Sequence, residues 1–137
     1  MCGIIGIIGN RDVALPIIEG LKHLEYRGYD SAGIATIMDK AIARRRAKGK
    51  ITQLENITKE QPLGGNLGVG HTRWATHGAP NTTNAHPHAT EKVAVVHNGL
   101  IENFAELRDD LTAEGHTFLT ETDTETIPQL ITWPRIP

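Results

Sequence analysis

Apolar positions in this chain follow two spacings, which alternate along its length. Ile4, Ile5, Ile7 and Ile8 form a β-branched run closed by Gly9 and Asn10. Such a run predicts a buried strand over residues 3–8. Val13, Ile17, Leu21 and Leu24 then repeat at helical spacing, so a helix capped by Asp12 is expected to run to about Glu25. Pro16 falls in its first turn, where a missing N–H costs least. Residues 32–38 and 41–47 read as a strand pair, and Ile51, Leu54 and Ile57 mark a short helix that ends before Pro62. Residues 67–72 give another strand, built partly of small residues. The stretch 75–90 is rich in Gly, Pro, Asn and His and predicts a long loop, a kind of segment that in compact domains usually carries function. A strand over 93–97 leads into the turn signal Asn98-Gly99. Phe104, Leu107 and Leu111 define a helix stopped at Gly115. Thr122 and Glu125 have the spacing of a capping box and open a last helix that meets Pro134. No internal repeat or low-complexity segment interrupts this order. Strands outnumber helices and connections are short, which predicts an α+β architecture of largely antiparallel sheets with helices packed outside.

Composition narrows the setting. A chain of 137 residues is long enough for one domain with a real core. The net charge of −2 gives no bulk attraction to nucleic acid or to an acidic membrane. No apolar run approaches the roughly 20 residues that span a bilayer, and the N-terminus lacks the charged region of a signal peptide. The single cysteine excludes an internal disulfide and fits a reducing compartment. A cytoplasmic protein without nucleic-acid or membrane partners is expected.

That cysteine, Cys2, directly follows Met1. An initiator methionine before a small residue is commonly trimmed. Trimming would leave a thiol and a free α-amine on one residue, a nucleophile tethered to its own base. The amine's reference pKa of about 7.7–8.0 lets it accept a proton without a histidine partner. A lone cysteine at a strand start is more often a small apolar residue, so the case depends on what accompanies it.

Six clusters, the first containing that cysteine, carry the case. CGIIG occupies residues 2–6, YRGYDSAG 26–33 and GHTRWATHG 70–78; His86-Pro87-His88, His97-Asn98-Gly99 and the TDTE of 122–125 follow. Together, in this order, they resemble the glutaminase domain of class II glutamine amidotransferases over almost the whole chain, from Cys2 to about Trp133. The YRGYDSAG and HTRWATHG stretches set it apart from relatives that share only the CGI start. They point to the branch whose parents convert fructose 6-phosphate to glucosamine 6-phosphate. The resemblance implies an N-terminal-nucleophile hydrolase fold, a four-layer αββα sandwich of which this chain holds the N-terminal portion. It implies hydrolysis of L-glutamine to glutamate and ammonia through a thioester on Cys2. No metal or organic cofactor is needed.

Residue roles follow from the resemblance, and the chemistry explains the residue types. Asn98 and Gly99 would supply an oxyanion hole from a side-chain amide and a backbone N–H. Arg73 offers a planar fork to the substrate α-carboxylate, a task Lys performs poorly. Asp123 would pair with the α-ammonium while also sitting at a helix start. Thr76 and His77 fall in the family's glutamine-binding loop, and His86 matches a histidine near the pocket. Trp74 matches an aromatic gate, with core packing as the equal alternative. Arg27 and Gly28 match positions beside the nucleophile, Arg27 serving there or as a structural ion-pair partner.

Other motifs carry less. The histidines match no zinc spacing. The segment around Ser31 lacks the glycine of a serine-nucleophile elbow, Tyr29 standing in its place. No phosphate-cradling loop is present. Arg44, Arg45 and Arg46, with Lys48 and Lys50, read as a solvated strand face. The expected organisation is a partial glutaminase domain over 2–133 and an atypical tail over 134–137. Two prolines in that tail break the last helix. The sugar isomerase domain of the parent, expected to be a homodimer, is absent, so a truncated product is expected. The alternative reading is a non-catalytic remnant or a glutamine-binding fragment.

Overall fold

The computed structural model describes residues 2–75 and 78–133. Its centre is a four-stranded antiparallel sheet of β1 (Gly3–Ile8), β2 (Ser31–Met38), β3 (Ala41–Lys48) and β4 (Leu67–Arg73), in the order β1-β4-β2-β3. The run of isoleucines forms β1 where expected. The β2–β3 hairpin closes through Asp39 and Lys40, both at positive φ, the geometry of a tight turn whose twist matches that of the strands.

The strand period of two sorts residues between two faces. Ile5, Ile7, Ala32, Ile34 and Ala47 point to one face, where α1 (Ala14–Lys22) and α2 (Ile51–Glu60) cover them. Ile17, Ile18, Leu21, Ile51 and Leu54 fill that interface and are fully buried. This is the main core.

The opposite face carries Ile4, His71, Gly33 and Arg46 as one cross-strand row. Residues 83–87, from the stretch expected as a long loop, lie over it, while His88–Ala89 of that stretch instead form β5, which makes a short hairpin with β6 (Ala94–Val95). Two further helices, α3 (Phe104–Ala113) and α4 (Thr126–Thr132), pack beyond that hairpin. Layers therefore run helices, sheet, hairpin, helices, the αββα order expected.

Several local expectations are corrected. Asp12 does not cap α1; its carboxylate accepts the Gly65 N–H at 2.9 Å, and Val13 takes the cap position without a side-chain bond. The first helix stops at Lys22, and a 3₁₀ turn over Glu25–Arg27 replaces its predicted end. The strand expected over 93–97 shrinks to Ala94–Val95. Thr122 and Glu125 do not form a capping box. Glu125 instead accepts the N–H groups of Leu119 and Thr120, both at 2.8 Å, while Thr122 Oγ1 bonds to His88 Nε2 and Thr120 Oγ1. A 3₁₀ turn over Asp123–Glu125 precedes α4. The atypical tail of residues 134–137 lies outside the described residues.

Candidate active site

The first site residue is positioned by strand pairing. Gly3 pairs with Thr72, so Cys2 emerges beside Arg73 and Trp74 at the end of β4. The Trp74 N–H donates to Cys2 Sγ at 3.2 Å, which holds the sulfur against that strand end. Asn98 comes from the loop after β6, and its Nδ2 donates to the Cys2 carbonyl at 3.0 Å. Residues 96 apart in sequence thus meet at the nucleophile.

Cys2 opens onto a cleft of about 550 Å³ that Asn98, Gly99, Arg73, Trp74, His86, Asp123 and Arg27 also line. Asp123 is buried and fixed by the Ile101 N–H, which donates to its Oδ2 at 2.9 Å. Arg73 is buried too. Its guanidinium donates to the carbonyls of Ala79 at 3.1 Å and Gly78 at 3.3 Å, which ties the loop to the cleft wall. A buried cation and a buried carboxylate, each held by backbone groups, therefore face the same cavity as the thiol. Trp74 is 55% exposed, so of its two expected roles core packing is overturned and a cleft wall remains. Gly28 does not line the cleft. It lies against the Trp74 ring, at φ 76°, a conformation side chains rarely adopt. Thr76 and His77 lie outside the described residues.

Behind the cleft is a histidine cluster. His71 stacks on His86 with ring centroids 4.1 Å apart, and His86 meets His88 edge-on at 4.5 Å. All are almost fully buried. Burial is the main cause that lowers His71 to about 4 and His88 to about 3, helped for His88 by Arg46 and Arg44; His86 is pushed lower still. Near neutral pH all are uncharged. Among the described residues no cluster of His, Cys, Asp and Glu is arranged to hold a metal ion.

The basic run on β3 is corrected. Arg44 donates to the Pro87 carbonyl at 2.9 Å, and Arg46 donates to Thr83 at 2.7 Å and Ala85 at 3.3 Å. These two arginines clamp the loop that carries His86; they are not a solvated face. Burial lowers Arg46 to about 10. Gly33 completes the seat, because a Cβ there would overlap the His86 carbonyl oxygen.

Sequence reasoning missed His97, Leu100, Thr122 and Thr124, which also line the cleft. Adjacency to Asn98-Gly99 and to Asp123 was the available signal. It also gave His71 no role beyond a rejected metal site, although strand alternation puts His71 on the same face as Arg73.

Known proteins resemble this chain in sequence and in fold. The sequence profile of the glutamine amidotransferase domain matches residues 55–133. The chain is 61% identical over 131 residues to glutamine–fructose-6-phosphate aminotransferase [isomerizing] of Mesorhizobium japonicum and 62% identical over 132 residues to that of Rhizobium meliloti. Each alignment covers 96% of this chain and 22% of the relative. Among solved structures, glutamine phosphoribosylpyrophosphate amidotransferase of B. subtilis, complexed with ADP and GMP, is similar with a TM-score of 0.81 at 26% identity. A structure described as the allosteric regulatory enzyme of purine biosynthesis gives 0.79 at 27%. Both cover 99% of this chain and 30% of theirs.

Proposed function

The chain belongs to the glutamine amidotransferase domain family, and on that premise we propose that it hydrolyses L-glutamine to glutamate and ammonia with Cys2 as nucleophile. The carrying observation is one cleft lined by the Cys2 thiol, the Asn98 amide, Gly99, a buried arginine and a buried aspartate.

Met1 is removed first. The exposed Cys2 amine takes the thiol proton, and sulfur attacks the γ-amide carbon. Negative charge on the carbonyl oxygen is met by Asn98 Nδ2–H and the Gly99 N–H. The ammonium formed on Cys2 protonates the amide nitrogen, the C–N bond breaks and ammonia leaves. Water then attacks the thioester, the amine accepts its proton, and sulfur departs with that proton as glutamate is released. Arg73 binds the α-carboxylate and Asp123 the α-ammonium, with Thr76, His77 and His86 around the substrate. Trp74 gates the cleft, and Arg27 and Gly28 support the nucleophile's side. The names of the relatives support a parent that delivers the ammonia to a sugar isomerase domain, aminating fructose 6-phosphate. Homodimerisation of that parent and a cytoplasmic location belong to the same reading; among the described residues no helix is long and apolar enough to cross a membrane.

The test is glutamate release by purified chain, with the N-terminus read by mass spectrometry. Processed chain is expected to turn over, and Cys2→Ala to fall to background. Full activity in chain that retains Met1, or in Cys2→Ala, overturns the mechanism. Glutamine binding without turnover leaves the alternative of a binding fragment.

A further inference from the structure

An exposed asparagine amide can rotate, and only one of its two ends is a donor. Asn98 is exposed, yet an oxyanion needs its Nδ2 end. Two unambiguous carbonyls settle which end points where. On one side the Cys2 carbonyl lies 3.0 Å from the Asn98 amide, so the atom facing it must be Nδ2. On the other side His71 Nε2 lies 3.2 Å from the His97 carbonyl, so that nitrogen must carry the proton. The same Nε2–H reaches the remaining end of Asn98 at 2.8 Å, which must then be Oδ1. The chain of bonds is consistent in one sense only: His71 Nε2–H to Asn98 Oδ1, and Asn98 Nδ2–H to the Cys2 carbonyl.

The other ring nitrogen fits this assignment. His71 Nδ1 is buried and meets no partner among the described residues, so a proton there would point at nothing. The ring is 1% exposed and held face to face against His86, with an interplanar angle of 12°. His71 is fixed on β4 between Ile4 of β1 and Gly33 of β2. Asn98 rides on a loop and has no such strand pairing.

We propose that His71 is a positioning residue for Asn98: an imidazole locked with its proton on Nε2, which holds the donor end of the Asn98 amide toward the nucleophile. This rests on the oxyanion-hole role given to Asn98 above. His71 touches no substrate in this scheme and acts through Asn98. Loss of the ring would leave the donor misplaced in most molecules without altering Arg73 or Asp123.

Two readouts test it. Nitrogen NMR of the unsubstituted chain is expected to place the His71 proton on Nε2 with Nδ1 bare; a proton on Nδ1 overturns the proposal. In steady-state kinetics His71→Leu is expected to lower kcat by about 10–100-fold while KM changes less than about threefold. His71→Gln, whose amide can reach the place of Nε2–H, restores most of that loss; His71→Asn, whose amide falls at Nδ1, does not. Equal kcat in folded His71→Leu and His71→Gln overturns it. Should the unsubstituted chain release no glutamate, the proposed function fails by itself, and the ring tautomer still decides this inference.

Discussion

Arg73 and Asp123 are buried charges that serve two masters, and this sets what their substitution does. Arg73 spans two loop carbonyls while lining the cleft. Lysine keeps the charge but not the fork. Arg73→Lys is therefore expected to raise the KM for glutamine by about 10–100-fold with a smaller change in kcat. An unchanged KM in steady-state assays would remove Arg73 from substrate binding. Asp123→Asn keeps an oxygen for the Ile101 N–H and removes only the negative charge. A KM rise of about tenfold or more with little stability loss is expected. Asp123→Ala also orphans that N–H and adds about 1–3 kcal/mol of destabilisation, read by urea unfolding. Both positions were singled out through the family resemblance. Their backbone anchors were not, since Ile101 and Ala79 carry no sequence mark of that role.

At the scale of elements, the loop over the outer sheet face is the part on which the site depends. It is held by β3 arginines from above one strand and by a missing side chain on another. Gly33→Ala would drive a Cβ into the His86 carbonyl. It is expected to cost about 1–3 kcal/mol and to lower kcat/KM. Gly6→Ala on β1 is the control, since its Cβ meets only Val69 at 3.9 Å. Equal stability of the two variants would show that the loop does not rest on Gly33. Periodicity located β1 to β4 and the three longer helices, because their apolar residues repeat. It missed the shortness of β6 and the fate of Thr122 and Glu125. There a local capping signal lost to hydrogen bonds with residues 119–120 and His88, which only the packed layers bring near.

The whole molecule carries an acid liability. His71, His86 and His88 are held below their ordinary values by burial. Unfolded histidine binds a proton near 6.5, whereas the folded cluster stays neutral until pH falls to about 4 or lower. The unfolded state therefore binds more protons in this window, and stability falls as pH drops below about 6.5. Each histidine contributes a slope of up to about 1.4 kcal/mol per pH unit. Urea midpoints measured from pH 8 to 5 are expected to be flat above 6.5 and to fall steeply below it. A flat profile throughout would mean that the folded cluster takes up protons freely.

The sequence by itself determined the periods and the placement of Cys2 directly after Met1, and its motifs carried the family resemblance. These are local or chemical properties, and they survive in an unfolded string. Tertiary structure alone decided that the β3 arginines clamp a loop, that three histidines lose their water together, and that Asn98 turns its donor toward Cys2. Each of those depends on which layer lies over which face and on hydrogen bonds between residues far apart in the chain. A period records that a face is covered, but not by what.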